Sequence, residues 1–168
     1  IVNQIDLAEV FIASGYQGLL PLSYTPCDPF HLTSVTSLPP ELASSYPGLS
    51  AGDLLVSLLS LNTIAIIDRA SFKIKWIVSG LTQTQYSPQF IGSNKLLVIE
   101  TPGGSAETKI ARLVTIDLGT RERVQVFPKA SGASEPAEFF HPDIYGAQAI
   151  SLSKDFSHAV ITNPKNGK

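Results

Sequence analysis

Self-repetition constrains this 168-residue chain more than any other feature, because a unit too small to bury its own apolar surface must stack against copies of itself. Short β-branched and aliphatic runs return along its length, and three of them end in Ile-Asp: Ile5-Asp6, Ile67-Asp68 and Ile116-Asp117. The second and third lie 49 positions apart. After each come a few polar or turn-forming residues and then another apolar run, the pattern of a hairpin. A second series interleaves with the first: Gly52-Asp53-Leu54-Leu55-Val56, Asn94-Lys95-Leu96-Leu97-Val98 and Asp155-Phe156-Ser157-His158-Ala159-Val160-Ile161, with 42 positions from Leu55 to Leu97. A third type of run precedes each of these, at 31–38, 86–91 and 145–152.

Taken in order, the runs form units of four strands. One whole unit is expected at 31–38, 53–58, 63–68 and 72–79, and a second at 86–91, 95–100, 111–117 and 123–127. Residues 2–6 and 9–13 read as the last pair of an earlier unit, and 145–152 and 157–162 as the first pair of a later one. Four short strands at a period of about 40 to 50 residues are the signature of a β-propeller blade. The expected fold is therefore all-β: a β-propeller segment of four-stranded antiparallel blades, with a half blade at 1–20, blades at 28–80 and 85–128, and a half blade at 144–168. A β-sandwich of seven or more strands is the alternative.

No helix is expected, since Pro39-Pro40, Pro47-Gly48 and Pro102-Gly103-Gly104 interrupt the non-strand stretches, leaving room for one short turn over 41–46. A propeller needs about four blades to close, and this material amounts to roughly three. The chain thus reads as a segment of a larger propeller, whose end strands present unpaired N–H and C=O groups to the remaining blades or to a neighbouring chain.

Composition narrows the partners. With 12 Lys+Arg against 14 Asp+Glu, there is no cationic surplus to displace counterions from a phosphate backbone, so nucleic acid is not expected. At 43% hydrophobic and 15% charged residues, the chain has the apolar content of a folded core. No apolar run approaches the roughly 18 to 20 residues of a membrane span. Lone Cys27 forms no disulfide within the chain, no Cys/His cluster has zinc-ligand spacing, and no cofactor motif is present. Pro102-Gly103-Gly104-Ser105 lacks the lysine of a phosphate-binding loop. Asp28, His31, His141 and Asp143 would make a metal site only if distant loops met.

Several segments, in this order and spacing, resemble the arylsulfotransferase family of six-bladed propellers. Asp28-Pro29-Phe30-His31-Leu32-Thr33-Ser34-Val35 looks like the family's D-P-F-H-x-N-S-V. Gly52-Asp53-Leu54-Leu55-Val56-Ser57-Leu58 followed by Leu61-Asn62-Thr63-Ile64-Ala65-Ile66-Ile67-Asp68 looks like G-D-I-L-V-S-x-R-x-L-N-T-I-A-V-I-D. Lys75-Trp76 and Gly80 fall where the family has V-W and G, and Gln85-Tyr86-Ser87-Pro88-Gln89-Phe90 resembles Q-H-D-P-Q-F. Tyr145-Gly146-Ala147-Gln148 resembles the G-x-Q of a later blade.

The resemblance implies a channel histidine that accepts a sulfuryl group, with further His and Arg side chains neutralising charge as it develops. His31 stands at the family's first histidine and is the candidate catalytic residue; Tyr86, Tyr145, Asn62 and Gln148 are the candidate substrate-binding residues. The departures are as informative. Tyr86 replaces a histidine, Ser87 an aspartate, and Leu59 the arginine that follows V-S-L. The expected function is an arylsulfotransferase-like propeller segment with weakened or lost catalysis, serving as a binding or structural subunit. The alternative is an active enzyme that moves a sulfuryl group from an aryl sulfate to a phenol. The resemblance also implies a periplasmic or secreted setting.

Overall fold

The computed structural model describes residues 4–23, 27–101, 111–127, 149–153 and 158–162. The chain is mostly β and antiparallel throughout. β1 (Leu32–Ser37), β2 (Leu54–Leu58), β3 (Thr63–Ile67) and β4 (Ile74–Ser79) form a first four-stranded sheet in chain order. A second, also in chain order, contains β5 (Gln85–Phe90), β6 (Lys95–Glu100), β7 (Arg112–Asp117) and β8 (Arg123–Phe127). A third pair joins β9 (Ala149–Leu152) to β10 (Ala159–Thr162). All eight strands expected of the two whole units are present.

The central strands of each complete sheet are covered on both faces, which is why they read as unbroken apolar runs. Leu55, Ile64 and Ile66 on one face of the first sheet meet Leu96, Val98, Val114 and Ile116 of the second. The opposite face, with Val56, Leu58, Ala65, Ile67 and Ile77, packs on an N-terminal segment through Val10 and Phe11. Leu97 and Ile99 of the second sheet turn the other way, towards Ile150 and Leu152 of β9. The two repeat spacings preserve this order. Leu55 and Leu97 both face the sheet that follows, while Ile67 and Ile116 both face what precedes.

The recurring Ile-Asp has a local cause. Asp68 Oδ1 accepts from the N–H groups of Ala70 (2.9 Å) and Ser71 (2.7 Å), and Phe72, four residues on, takes a left-handed φ of 53°. Asp117 repeats the device: its Oδ1 accepts from Gly119 and Thr120, both at 2.9 Å, and Arg121 has φ 61°. The carboxylate substitutes for a backbone carbonyl and closes the β3–β4 and β7–β8 hairpins. These accepted hydrogen bonds, that from Thr120 first, hold the Asp117 carboxyl below the usual range.

The first Ile-Asp departs from expectation. Residues 9–13 are not a strand: Leu7–Ala13 is an α-helix, α1, and residues 4–6 are irregular. Asp6 makes the same contacts, accepting from Ala8 (2.8 Å) and Glu9 (3.3 Å), but here they cap a helix N-terminus. What differs is the sequence that follows. Leu7, Val10 and Phe11 recur at helical spacing with no turn residue among them, so the amphipathic stripe continues the turn. The expectation of no helix thus fails here, and 3₁₀ turns occupy Gln17–Leu22, Pro40–Ser45 and Leu59–Leu61.

Polar ties lock the sheets together. Tyr46, buried against Phe90, donates to the Lys95 carbonyl at 2.6 Å and accepts from the N–H groups of Ile91 (2.9 Å) and Gly92 (2.8 Å). Burial pushes its phenol up to about 12, against the opposing effect of the two donors. Trp76 Nε1–H donates to the Leu118 carbonyl at 2.8 Å, from the first sheet to the second. Tyr46→Phe strands the Gly92 N–H and leaves the Ile91 N–H and the Lys95 carbonyl only their mutual 3.2 Å bond, and is expected to lower stability by about 1–2 kcal/mol in urea titrations.

Candidate functional site

The segment that carries His31 is held from three sides. Phe30 is drawn into the apolar layer under the first sheet, its ring 5.3 Å from that of Phe11. The carbonyls of Asp28, Phe30 and His31 accept from Ser60 Oγ (3.3 Å), Ser60 N–H (3.3 Å) and Leu59 N–H (3.0 Å). Asp28 Oδ1 accepts the His31 N–H at 2.8 Å, and His31 takes φ 45°. A left-handed histidine is uncommon, and this turn holds it there. With Phe30 partly buried, the imidazole of the next residue emerges into solvent, about half exposed at 51%. Its Nδ1 lies 3.1 Å from Asp28 Oδ2.

This aspartate was not singled out by the resemblance as a functional group. The signal was present in the four-residue spacing of Asp28-Pro29-Phe30-His31, which lets one carboxylate reach both the backbone N–H and the ring three residues later. Among the described residues, no three His, Cys, Asp or Glu side chains converge as a metal cluster, and His141 and Asp143 lie outside the described residues.

Register settles which residue of the second sheet answers to His31. Thr84 also immediately precedes its first strand, has φ 49°, and gives its N–H to an Asx side chain, Asn62 Oδ1, at 3.0 Å. Its carbonyl accepts from Thr101 just beyond β6, as that of His31 accepts from Leu59 just beyond β2. Tyr86 therefore does not stand at the matching height. It sits two positions further along β5, opposite Ile99, half-buried with Leu97, Ala111 and Ile150 on the side that faces β9. The runs beginning at 31 and 86 set Tyr86 against His31, but β1 and β5 each carry one extra residue at a different place: Thr33 lies between the partners of Leu58 and Ser57, whereas Ser87 and Pro88 together oppose Val98.

Asn62 is the left-handed residue (φ 46°) that ends the Leu59–Leu61 turn. Its carbonyl accepts the Gly80 N–H at 2.9 Å and its side-chain oxygen holds Thr84, so it fastens the exit of the first sheet to the entry of the second. Tyr145 and Gln148 lie outside the described residues.

A hydroxyl network that the sequence did not flag runs along the first strands. Thr33 Oγ1 donates to Ser57 Oγ (2.9 Å), which donates to the Gln85 carbonyl (3.1 Å). The buried Gln85 amide donates to the Leu58 and Thr63 carbonyls. Ser87 Oγ accepts the Ile150 N–H at 3.1 Å. These bonds bring β1 beside β5, and β5 beside β9.

No family model, no curated protein and no solved structure matches this chain.

Proposed function

We propose that the chain is a segment of a β-propeller similar to the arylsulfotransferases, in which sulfuryl transfer is weakened or lost and the stacked sheets serve as a rigid binding or structural subunit. One observation supports the architecture: sheets whose central strands are covered on both faces, with their first strands β1, β5 and β9 side by side. A two-layer sandwich buries one face of each sheet and leaves the other wet, whereas radial blades bury both. The remaining blades, or a neighbouring chain, would then pair with the open strand edges, in a periplasmic or secreted setting.

The loss of chemistry follows from charge. A transferring sulfuryl group needs positive or proton-donating groups aimed at its oxygens, and removing one such group from comparable sites raises the barrier by about 3 kcal/mol. Leu59 stands where the resemblance calls for an arginine, and its N–H is spent on the His31 carbonyl. Tyr86 stands where it calls for a histidine, and packs between the second and third sheets.

The Asp28–His31 pair favours a second reading, an active aryl sulfotransferase, because an exposed imidazole held by a carboxylate is what a group-accepting histidine requires. Incubating the protein with p-nitrophenyl sulfate and a phenol acceptor separates the two. The scaffold reading expects no transfer above that of His31→Ala. Transfer at least tenfold above that variant, with covalent sulfuryl on His31, would replace it with the enzyme.

A further inference from the structure

We propose that Asp28 is a positioning residue that fixes His31 as its Nδ1–H tautomer and so presents Nε2 to solvent as a nucleophilic nitrogen. The inference deepens the second reading above and rests on it only for the identity of the group that Nε2 would accept.

The argument starts from donors and acceptors. Asp28 uses both carboxylate oxygens on one residue: Oδ1 accepts the His31 N–H at 2.8 Å, and Oδ2 lies 3.1 Å from Nδ1. An ionised carboxylate is acceptor-only, so the facing ring nitrogen must carry the proton. In a neutral imidazole the other nitrogen then holds the lone pair. Surface ion pairs alone rarely hold such geometry, and Asp28 is 59% exposed. Here the backbone holds it: Phe30 is anchored on Phe11, three carbonyls of 28–31 are tied to Leu59 and Ser60, and the His31 N–H is fastened to Asp28 itself at a left-handed φ of 45°. The pair is thus a product of the turn and does not depend on two long side chains meeting by chance.

Asp28→Asn tests this without dismantling the turn. Asparagine keeps an oxygen for the His31 N–H and is itself favoured in such turns. Its amide, however, presents an N–H to Nδ1, which must then become the acceptor, and the proton moves to Nε2. Long-range ¹H–¹⁵N correlation spectra of the protein above the titration range of His31 report the tautomer directly. The expected result is protonated Nδ1 in the wild type and protonated Nε2 in Asp28→Asn. Carbethoxylation of His31 by diethyl pyrocarbonate, followed by peptide mass spectrometry, is expected to slow at least tenfold in the variant. Asp28→Ser, which caps the turn but cannot reach Nδ1, is expected to lose the wild-type tautomer as well, and serves if the asparagine variant fails to fold. The same tautomer and the same modification rate in wild type and in whichever variant folds would overturn the proposal. Neither readout depends on sulfuryl transfer, so the tautomer can be as expected while the enzyme reading fails.

Discussion

Phe11→Ala is expected to destabilise the protein by about 3–4 kcal/mol, read as a fall in the midpoint of urea unfolding with an unchanged slope. Phe11 is fully buried, and it touches Tyr16 edge-on and Phe30 at a tilt, above the Val56, Leu58, Ala65 and Ile67 face of the first sheet. Truncation removes the transfer energy of the ring and leaves a void that the sheet cannot collapse to fill. Ile12, the next residue on α1, is 57% exposed, and Ile12→Ala should change stability by less than about 0.5 kcal/mol. The contrast carries the test. If α1 were a detached flank of the sheets, both substitutions would be near neutral; if it is the layer that covers the first sheet, only Phe11 matters.

The helix also marks the boundary of what the sequence made legible. Strand positions in the two complete sheets follow from apolar runs bounded by turn residues, and β6 and β8 coincide with their expected limits at both ends. Spacing carried further than propensity, because 42 and 49 positions preserve which face of each sheet looks forward. Ile-Asp was a sound marker of an Asx turn, but such a turn also starts a helix, and only the residues after it decide. After Asp68 come Arg69-Ala70-Ser71, after Asp117 come Leu118-Gly119-Thr120, and after Asp6 comes an apolar stripe with period 3.6. Counting that stripe would have separated the third case from the first two.

The site was less legible, and for a reason of register. Strand positions tolerate a residue or two of error, whereas the height of a side chain around an axis does not. The apolar runs mark where the first strands lie but not their register, and the run beginning at 86 matched Tyr86 to His31 where strand pairing matches Thr84. The carboxylate beside His31 was visible in the sequence as the first residue of a four-residue turn, yet its hydrogen bond from the His31 N–H and its approach to Nδ1 emerge only once the backbone of that turn is defined. Asn62 shows the reverse. The resemblance marks it as a candidate substrate-binding residue, and the structure shows its side-chain oxygen accepting the Thr84 N–H between the two sheets.

Lys75→Met is expected to lower stability by about 2–3 kcal/mol at neutral pH, a value below that of a fully buried pair because the ammonium remains partly wet. Lys75 lies at the start of β4 between two carboxylates, 2.9 Å from Asp53 Oδ2 and 2.7 Å from Asp68 Oδ2. Asp53 is almost wholly buried at 2% exposure, with one N–H, that of Ser50, on the same oxygen. Without the ammonium it is a buried charge with incomplete compensation, which is where the loss arises. The double variant Asp53→Asn with Lys75→Met removes both charges and should recover part of that loss; a double variant as unstable as the sum of the singles would show that the two side chains do not interact. The pair also sets an acid limb. The hydrogen bond from Lys75, followed by those from Ser71, holds the Asp68 carboxyl well below the usual carboxylate range. A folded-state value below the unfolded one means that the unfolded chain takes up the proton first as pH falls. The contribution of Asp68 is therefore complete above its unfolded value near pH 4 and is lost as pH drops through the folded one. At the alkaline end the sign is reversed for Lys75, which Asp68 and Asp53 raise against the effect of burial, so its contribution fades only as pH climbs past its ordinary range. In Lys75→Met the stability lost between pH 4 and pH 2 should be smaller than in the wild type; an unchanged acid limb would show that Asp68 owes its low value to the turn alone.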